Sequence, residues 1–314
     1  MRSLRRARLM EAAPLPVREG VAPSRVYLVP GPWATVYEFL VNRFRHMPEG
    51  ILRQRLDNGH IVDDEGIAQR ADTPYSPHRW LWYYREVPDE PRVPFELEVL
   101  HADERIIVVD KPHFLASIPG GRHLRETVLT RLRECFDLPQ LTPIHRLDRD
   151  TAGVMLLCRD PASRGAYQRL FQSREVMKVY EAVASWREDL KLPLTHRSRL
   201  LPGDPAFVMT EVAGEPNSET RIELMERMGS LALYRLMPTT GRKHQLRAHM
   251  NALGIPICND TVYPQWLVAE DPADYTRPLQ LLARSVEFVD PFSQEKRRFE
   301  SRRSLQTQCP ASAK

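Results

Sequence analysis

The stretch HRLDRDTAGVMLLC, His145 to Cys158, sets a dense run of charge directly before a run of apolar residues. Val154 to Cys158 reads as a buried strand, since a short continuous apolar segment bounded by turn residues suits burial on both faces. Thr151-Ala152-Gly153 leads the chain into it. The charged half places Asp148 and Asp150 among His145, Arg146 and Arg149, with Leu147 as the lone apolar residue. An aspartate on a loop that feeds a strand sits at the rim of a sheet, where functional residues are often found. The same residue also suits a turn or a cap, and the local sequence leaves both readings open. For Asp150 a structural cap is the expectation.

Strands and helices continue on either side. Strands are expected at Arg105–Pro112, Lys178–Trp186, Leu231–Pro238 and around Leu281, and helices at Leu124–Phe136, Ala162–Glu175 and Arg242–Gly254. In the last helix Leu246, Met250 and Leu253 face inward, and Gly254 ends it. Towards the N-terminus, VPDEPRVPF (Val87 to Phe95) carries Pro88, Pro91 and Pro94, which prevent helix and disfavour sheet. It reads as a linker between a small domain and a larger one. The small domain offers helices at Val36–Phe44 and Glu49–Gly59, a hairpin turning at Asp63–Gly66, and a strand at Arg79–Tyr84. Arg43, Arg53 and Arg55 lie on those helices. They suit an RNA-binding module, but the pattern alone favours the solvated faces of amphipathic helices.

The 314 residues include 42% hydrophobic and 27% charged residues, the balance of a globular chain with a real core. No apolar run is long enough to span a membrane as a helix. The formal charge of +4 says little about a polyanionic partner. None of the four cysteines forms a C-x-x-C pair, so a cysteine zinc site is not expected, and scattered thiols suit a reducing, cytoplasmic setting. The arginine-rich start fits a disordered basic tail or an organelle transit peptide.

Two further clusters bear on Asp148. PTTGRKHQLRAH, Pro238 to His249, crowds Arg242, Lys243, His244, Arg247 and His249 into the expected first two turns of a helix, where cations oppose the dipole. An anion there would compensate. His244 and His249 are read as core or capping residues. Lys178 and Tyr180, two apart on a strand, face the same way, and an aromatic beside cations is one way to hold an unstacked base.

Taken in order, VVDKPHFLASIPGG (Val108 to Gly121), HRLDRDTAG, KVYEA and PTTGRKHQLRAHMNALGIPICNDTVY resemble the motifs of the RluA-type RNA pseudouridine synthases. The resemblance covers roughly Phe95 to Glu300. It implies an α+β fold: a mixed, mainly antiparallel sheet with flanking helices and loops, preceded by a small α/β module similar to an S4-type RNA-binding domain. The implied organisation is a basic tail over 1–25, the S4-like domain over 26–88, the catalytic domain over 89–300 and a disordered tail over 301–314. The implied reaction detaches uracil from C1′ of a uridine, turns it and rejoins it through C5, with no cofactor or metal. By resemblance Asp148 is the essential aspartate, attacking C1′ of the ribose or C6 of the base. Tyr180 lies against the target base, and Arg247 pairs with the aspartate. Arg146 enters the RNA where the base has left, Leu246 packs on the uracil, and Arg242 and Lys178 contribute to binding. The implied partner is ribosomal or transfer RNA, for a monomer without membrane attachment.

The chain departs from the family at Ala152, at Asn259-Asp260 and at Leu281-Leu282-Ala283, departures expected to touch none of Asp148, Tyr180 or Arg247. A non-catalytic RNA-binding protein is the alternative, but it would not need those three residues. A D-x-D phosphotransferase would need an apolar strand before Asp148, and Pro143-Ile144-His145-Arg146 stands there instead.

Overall fold

The computed structural model describes residues 13–85, 90–267 and 274–306. Parts of the expected N-terminal tail (1–12), linker (86–89) and C-terminal tail (307–314) lie outside the described residues. The chain divides into two compact units. One is the N-terminal part up to Glu90 with Pro119–Arg125 and Thr130–Pro139; the other is Pro91–Ile118, Glu126–Leu129 and the chain from Gln140 onward. The expected boundary near residue 88 thus lies close to the division, but much of the Leu124–Phe136 segment groups with the first unit.

The first unit contains β1 (Ser24–Tyr27), α1 (Val36–Arg43), α2 (Glu49–Asp57), β2 (Ile61–Val62) and β3 (Trp80–Tyr83), with the strands in the order β1-β3-β2. The start of β1 and a bridge between Arg18 and Val21 fall within the expected tail, which is therefore structured before residue 26. Thr35 caps α1 by accepting a hydrogen bond from the Glu38 amide, while Glu38 Oε2 accepts one from the Ala34 amide, so two orphan donors are satisfied. Val36, Phe39 and Leu40 of α1 and Leu52 and Leu56 of α2 then bury together with Ile61 and Leu81. The hairpin turn stands where expected: the Asp63 carboxylate accepts from the amides of Glu65 and Ile67.

The second unit is built on one mainly antiparallel sheet. Its elements in chain order are β4 (Glu98–Ala102), β5 (Ile106–Lys111), α3 (Val128–Phe136, shared with the first unit), β6 (Thr142–Pro143), β7 (Ala152–Cys158), α4 (Arg164–Gln172), β8 (Met177–Ser185), β9 (Leu194–Pro202), β10 (Met209–Val212), β11 (Ser218–Met228), β12 (Leu231–Pro238), α5 (Gln245–Ala252), β13 (Leu281–Val289) and β14 (Lys296–Glu300). The strand order is β10-β9-β11-β12-β8-β13-β7-β5-β4, with β14 on β13 and β6 on β7. One core joins Leu246 and Met250 of α5 to Ala182, Ile222, Tyr234 and Leu236 of the sheet. Another gathers Ile106, Val108, Val154, Leu156, Val286 and Phe288 with Tyr167 of α4.

The sole parallel pairing among the described strands joins β7 to β13, with Ala283 opposite Gly153. Ala283 also faces Tyr180 of β8, and Tyr180 faces Leu236 of β12. One row across the sheet therefore reads Gly153, Ala283, Tyr180, Leu236. It brings Tyr180 level with the exit of the charged loop. Gly153 has φ +112°, and a Cβ there would stand 2.2 Å from the Ala283 carbonyl oxygen. Only glycine allows both that backbone and that approach.

The expected disorder from residue 301 does not hold as far as Gln306. Asp110 on β5 has no exposed surface, and its carboxylate accepts from Ser301 Oγ and the Arg302 amide, with Arg303 Nε 3.4 Å away. The Gln306 amide donates to Gln280 Oε1. A buried carboxylate needs such partners, and they order the segment.

Candidate active site

The loop carrying Asp148 is held from behind by side chains of the Lys111–Ser117 segment. Lys111 Nζ, fully buried, donates to the carbonyls of Pro112, Leu115 and Arg149 at 3.0, 2.8 and 2.9 Å. His113 Nδ1 lies 2.7 Å from the Asp150 carbonyl. Ser117 Oγ donates to the Leu147 carbonyl at 2.7 Å and accepts from the Leu147 amide at 3.1 Å. Backbone on both sides of Asp148 is thereby fixed, as a reacting group requires. Burial pushes Lys111 down to about 7, although the carboxylates of Asp150 and Asp148 act the other way. Burial also pushes His113 down to about 4. A neutral imidazole donating from Nδ1 to a carbonyl fits that shift.

Asp148 keeps its side chain 29% exposed, open to a substrate. Its Oδ2 lies 3.5 Å from Arg247 Nη1 and 3.9 Å from His244 Nε2. Arg247, 2% exposed, gives its better hydrogen bonds elsewhere: Nε and Nη2 form a fork on the two oxygens of Asp260, at 2.8 and 2.6 Å. Burial opposes its charge, but the Asp260 pair, with the Asp148 and Asp150 carboxylates, outweighs this and holds its pKa above the ordinary value. Asp260 is in turn tied down by the amides of Val262 and Tyr263. The expected pairing of Arg247 with Asp148 is therefore the weaker of two. Asp260, which positions Arg247, is the residue that Asn259-Asp260 shares with the family's usual Gly-Asp; the departing Asn259 donates instead to the Pro278 carbonyl. Asn259 itself takes φ +60°, a backbone that asparagine tolerates.

The basic cluster is also arranged differently from the sequence expectation. Helix α5 starts at Gln245, so Arg242, Lys243 and His244 precede it, and His244 at its cap is left-handed with φ 51°. Of the five residues expected there, Arg247 and His249 remain within the first two turns of the helix. Gln245 organises the turn instead: its Oε1 accepts from Thr240 Oγ1 and the Arg242 amide, and its Nε2 donates to the Glu219 carbonyl and Thr220 Oγ1. His244, read from sequence as a core or cap residue, also borders Asp148. Burial lowers its pKa while Asp148 opposes the shift. Nothing in the residue spacing marked it out, since its left-handed backbone is what aims it.

Tyr180 packs against the core that contains Leu246. Burial raises the Tyr180 pKa, and the Asp148 carboxylate adds to the rise, so the phenol keeps its proton. Arg146 is exposed on the same loop as Asp148. Lys178 donates to the Thr240 carbonyl at 3.0 Å, and burial followed by Arg174 lowers it to about 8. Arg242 donates to the Asn217 carbonyl. The structure thus gathers Asp148, Arg247, Tyr180 and Leu246, while Lys178 and Arg242 are tied to neighbouring backbone. In the first unit Arg43 and Arg53 are exposed and Arg55 is half-buried. Asp150, expected as a cap, instead pairs with Arg149 at 3.2 Å.

Among the described residues one cluster has donor atoms close enough to hold a metal: His196, Glu211 and His249, all within 4.8 Å. His249 is wholly buried, with Nδ1 on Thr220 Oγ1 and Nε2 on the hydroxyls of Ser218 and Ser198. Both its nitrogens are in use, tying α5 to β9 and β11, which is the core role expected of it.

What this arrangement can do is hold a half-exposed carboxylate next to a fixed cation and a protonated phenol. The RNA pseudouridylate synthase family model matches residues 105–252, which span the Lys111 segment, Asp148, Tyr180 and Arg247. The chain is 33% identical over 208 residues to the dual-specificity RNA pseudouridine synthase RluA of Vibrio vulnificus, covering 62% of this chain and 79% of that one. It is 30% identical over 241 residues to an uncharacterised RNA pseudouridine synthase of Synechocystis sp., covering 72% of this chain and 78% of that one. The fold is similar to that of human RNA pseudouridylate synthase domain containing 1, with a TM-score of 0.54 at 24% identity over 68% of this chain and 86% of that one. With these matches the chain belongs to the RluA-type RNA pseudouridine synthases, the isomerases that convert uridine in RNA to pseudouridine.

Proposed function

We propose that this protein isomerises specific uridines of structured RNA, ribosomal or transfer, through nucleophilic attack by Asp148. The observation that carries the reading is the Asp148–Arg247–Asp260 chain. Arg247 is buried and already neutralised by Asp260, so it can orient Asp148 without cancelling its nucleophilic charge. Tyr180 lies against the uracil, with Leu246 behind it. Arg146, exposed on the loop, fills the stack that the flipped base leaves, offsetting part of the few kcal/mol that flipping costs. Lys178 and Arg242 support binding through the turn they hold. The first unit serves as an S4-like RNA-binding domain over residues 26–88, with Arg43, Arg53 and Arg55 as phosphate contacts. The protein works as a cytoplasmic monomer; Cys135 and Cys158 are free thiols, in keeping with a reducing compartment.

The test is tritium release from C5 of [5-³H]uridine-labelled total RNA taken from cells lacking the gene. The parent protein releases tritium. Asp148→Asn reduces the rate at least about a thousandfold, the scale on which an essential nucleophile is lost, and still binds the RNA. An Asp148→Asn protein that turns over normally would overturn the mechanism.

A further inference from the structure

Beside the reacting centre lies a surface that the isomerisation does not use. Phe207, on the connection between β9 and β10, and Trp266 are 37% and 46% exposed, and their rings meet edge to face with centroids 5.1 Å apart. Large aromatics are rarely left in solvent as a contacting pair without a partner. Lys243 Nζ sits 5.9 Å from the Phe207 ring centroid, and the neighbouring Arg242 is also exposed. Trp266 lines a groove of about 410 Å³ together with Val208 and Tyr263 and with the carboxylates of Asp204 and Glu211.

This surface is continuous with the centre. The Tyr263 hydroxyl anchors the β10 end by donating to the Met209 carbonyl and accepting from the Met209 amide, both at 2.9 Å. The Tyr263 ring packs edge-on to His244, and the Arg247 guanidinium lies 5.7 Å from its centroid. His244 and Arg247 both border Asp148. Lys243 directly precedes His244 in the chain, so one turn serves both places.

We propose that Phe207 and Trp266 form a stacking platform for an unpaired base of the substrate RNA flanking the target uridine, with Lys243 and Arg242 taking the adjoining phosphates. The charge pattern selects this occupant. The carboxylates in the groove repel a phosphate but can accept N–H groups of a base edge, while the cations stand at the rim where the backbone must run. Stacking on such a pair is tolerant of base identity, so the platform contributes affinity and register while the reacting loop performs the chemistry. The inference rests on Asp148 as the reacting centre.

The experiment uses the full-length protein in the same tritium-release assay on total RNA from cells lacking the gene. Phe207→Ala/Trp266→Ala is expected to raise the apparent KM about tenfold or more, as the loss of a stacked base does, with kcat within about twofold of the parent. Trp266→Leu, which keeps apolar bulk but removes the ring, shares the defect, and Trp266→Tyr restores most of the affinity. Circular dichroism checks that each variant is folded; if the double variant is not, the two single Trp266 substitutions decide. A parent-like KM in Trp266→Leu or the double variant overturns the platform while leaving the isomerase reading intact. So does a parent-like KM accompanied by a change from dimer to monomer in light scattering, which would make the aromatics a contact between copies. Absence of tritium release by the parent itself counts against the isomerase reading instead.

Discussion

Arg247 and Arg43 are the same residue type in opposite circumstances. Arg247 is almost wholly buried, with a carboxylate fork on one side and Asp148 on the other. Arg43 stands exposed at the end of α1, its guanidinium 5.7 Å from the Phe44 ring centroid. Burying a guanidinium costs several kcal/mol unless its charge and donors are met, so everything around Arg247 is fixed by that requirement. An exposed guanidinium makes no such demand and is free to meet a phosphate. The contrast teaches that charge in the sequence marks two different devices: a buried cation that shapes the reacting loop, and a solvated one that contributes to long-range attraction.

The comparison is broken most severely at Asp260. Asp260→Asn keeps the side-chain shape but leaves Arg247 with Asp148 as its remaining close carboxylate. The expected cost is about 3–5 kcal/mol of stability, the range found when one partner of a buried pair is removed. Urea unfolding measures it. An unchanged midpoint would mean that the fork does not hold the buried cation. Activity should fall as well, because Asp148 is drawn towards the vacated side of the guanidinium.

Burial also sets three histidines of the second unit apart from its surface charges. Burial pushes His113 to about 4, and His145 and His249 to about 3. His145 accepts the Leu156 amide at Nε2 and stacks on Phe171, both of which suit a neutral ring. Each folded value lies below the unfolded one near 6.5. As the pH drops below about 6.5 the unfolded chain takes up protons that these three rings refuse in the folded chain, so their contribution to stability is complete above that point and declines towards pH 4. The slope should approach that of three protons. His145→Gln, which can still accept from Leu156, should remove about one proton from it. Urea midpoints at pH 7 and pH 5 test this, and equal midpoints for the parent at both values would show that the histidines are not held neutral.

How much of this was legible in the sequence follows the same division. Val154–Cys158 is legible as a strand because both sheet faces are covered there, so apolar residues run continuously, whereas Lys178–Trp186 and Leu231–Pro238 show themselves by alternation. β9 and β11 were missed: LTHRSRLLP and SETRIELMERM carry charges on a half-exposed face and resemble loop by composition. Asp148, Tyr180 and Arg247 could be picked out through ordered motifs, and the sheet register then brings the strand partner level with the loop. The fork from Asp260 to Arg247 joins residues on a helix and on the loop after it, and no periodicity links them. Ordering of Ser301–Gln306 was hidden for the same reason, since it depends on Asp110 far earlier in the chain.

The smallest expected effects belong to the exposed arginines, where the comparison can be sharpened. Arg53 and Arg55 are two apart on α2 and so project from different faces, because helical neighbours recur at three and four residues. Tyr83 on β3 identifies which arginines share a surface. Burial raises its pKa, while Arg85, Arg43 and Arg55 pull it down, and Arg53 is absent from that group. The three arginines expected to form one RNA-binding set thus divide into a cluster around Tyr83 and an outlier. Arg43→Gln/Arg55→Gln should reduce the slope of log affinity against log salt by about two, with a stability cost set by the half-buried Arg55. Arg53→Gln should change neither. Filter binding to bulk ribosomal RNA across a potassium chloride series measures both slopes. Equal loss from Arg53→Gln would show that α2 is contacted around its circumference, and an unchanged slope in the double variant would remove the first unit from the RNA-binding surface.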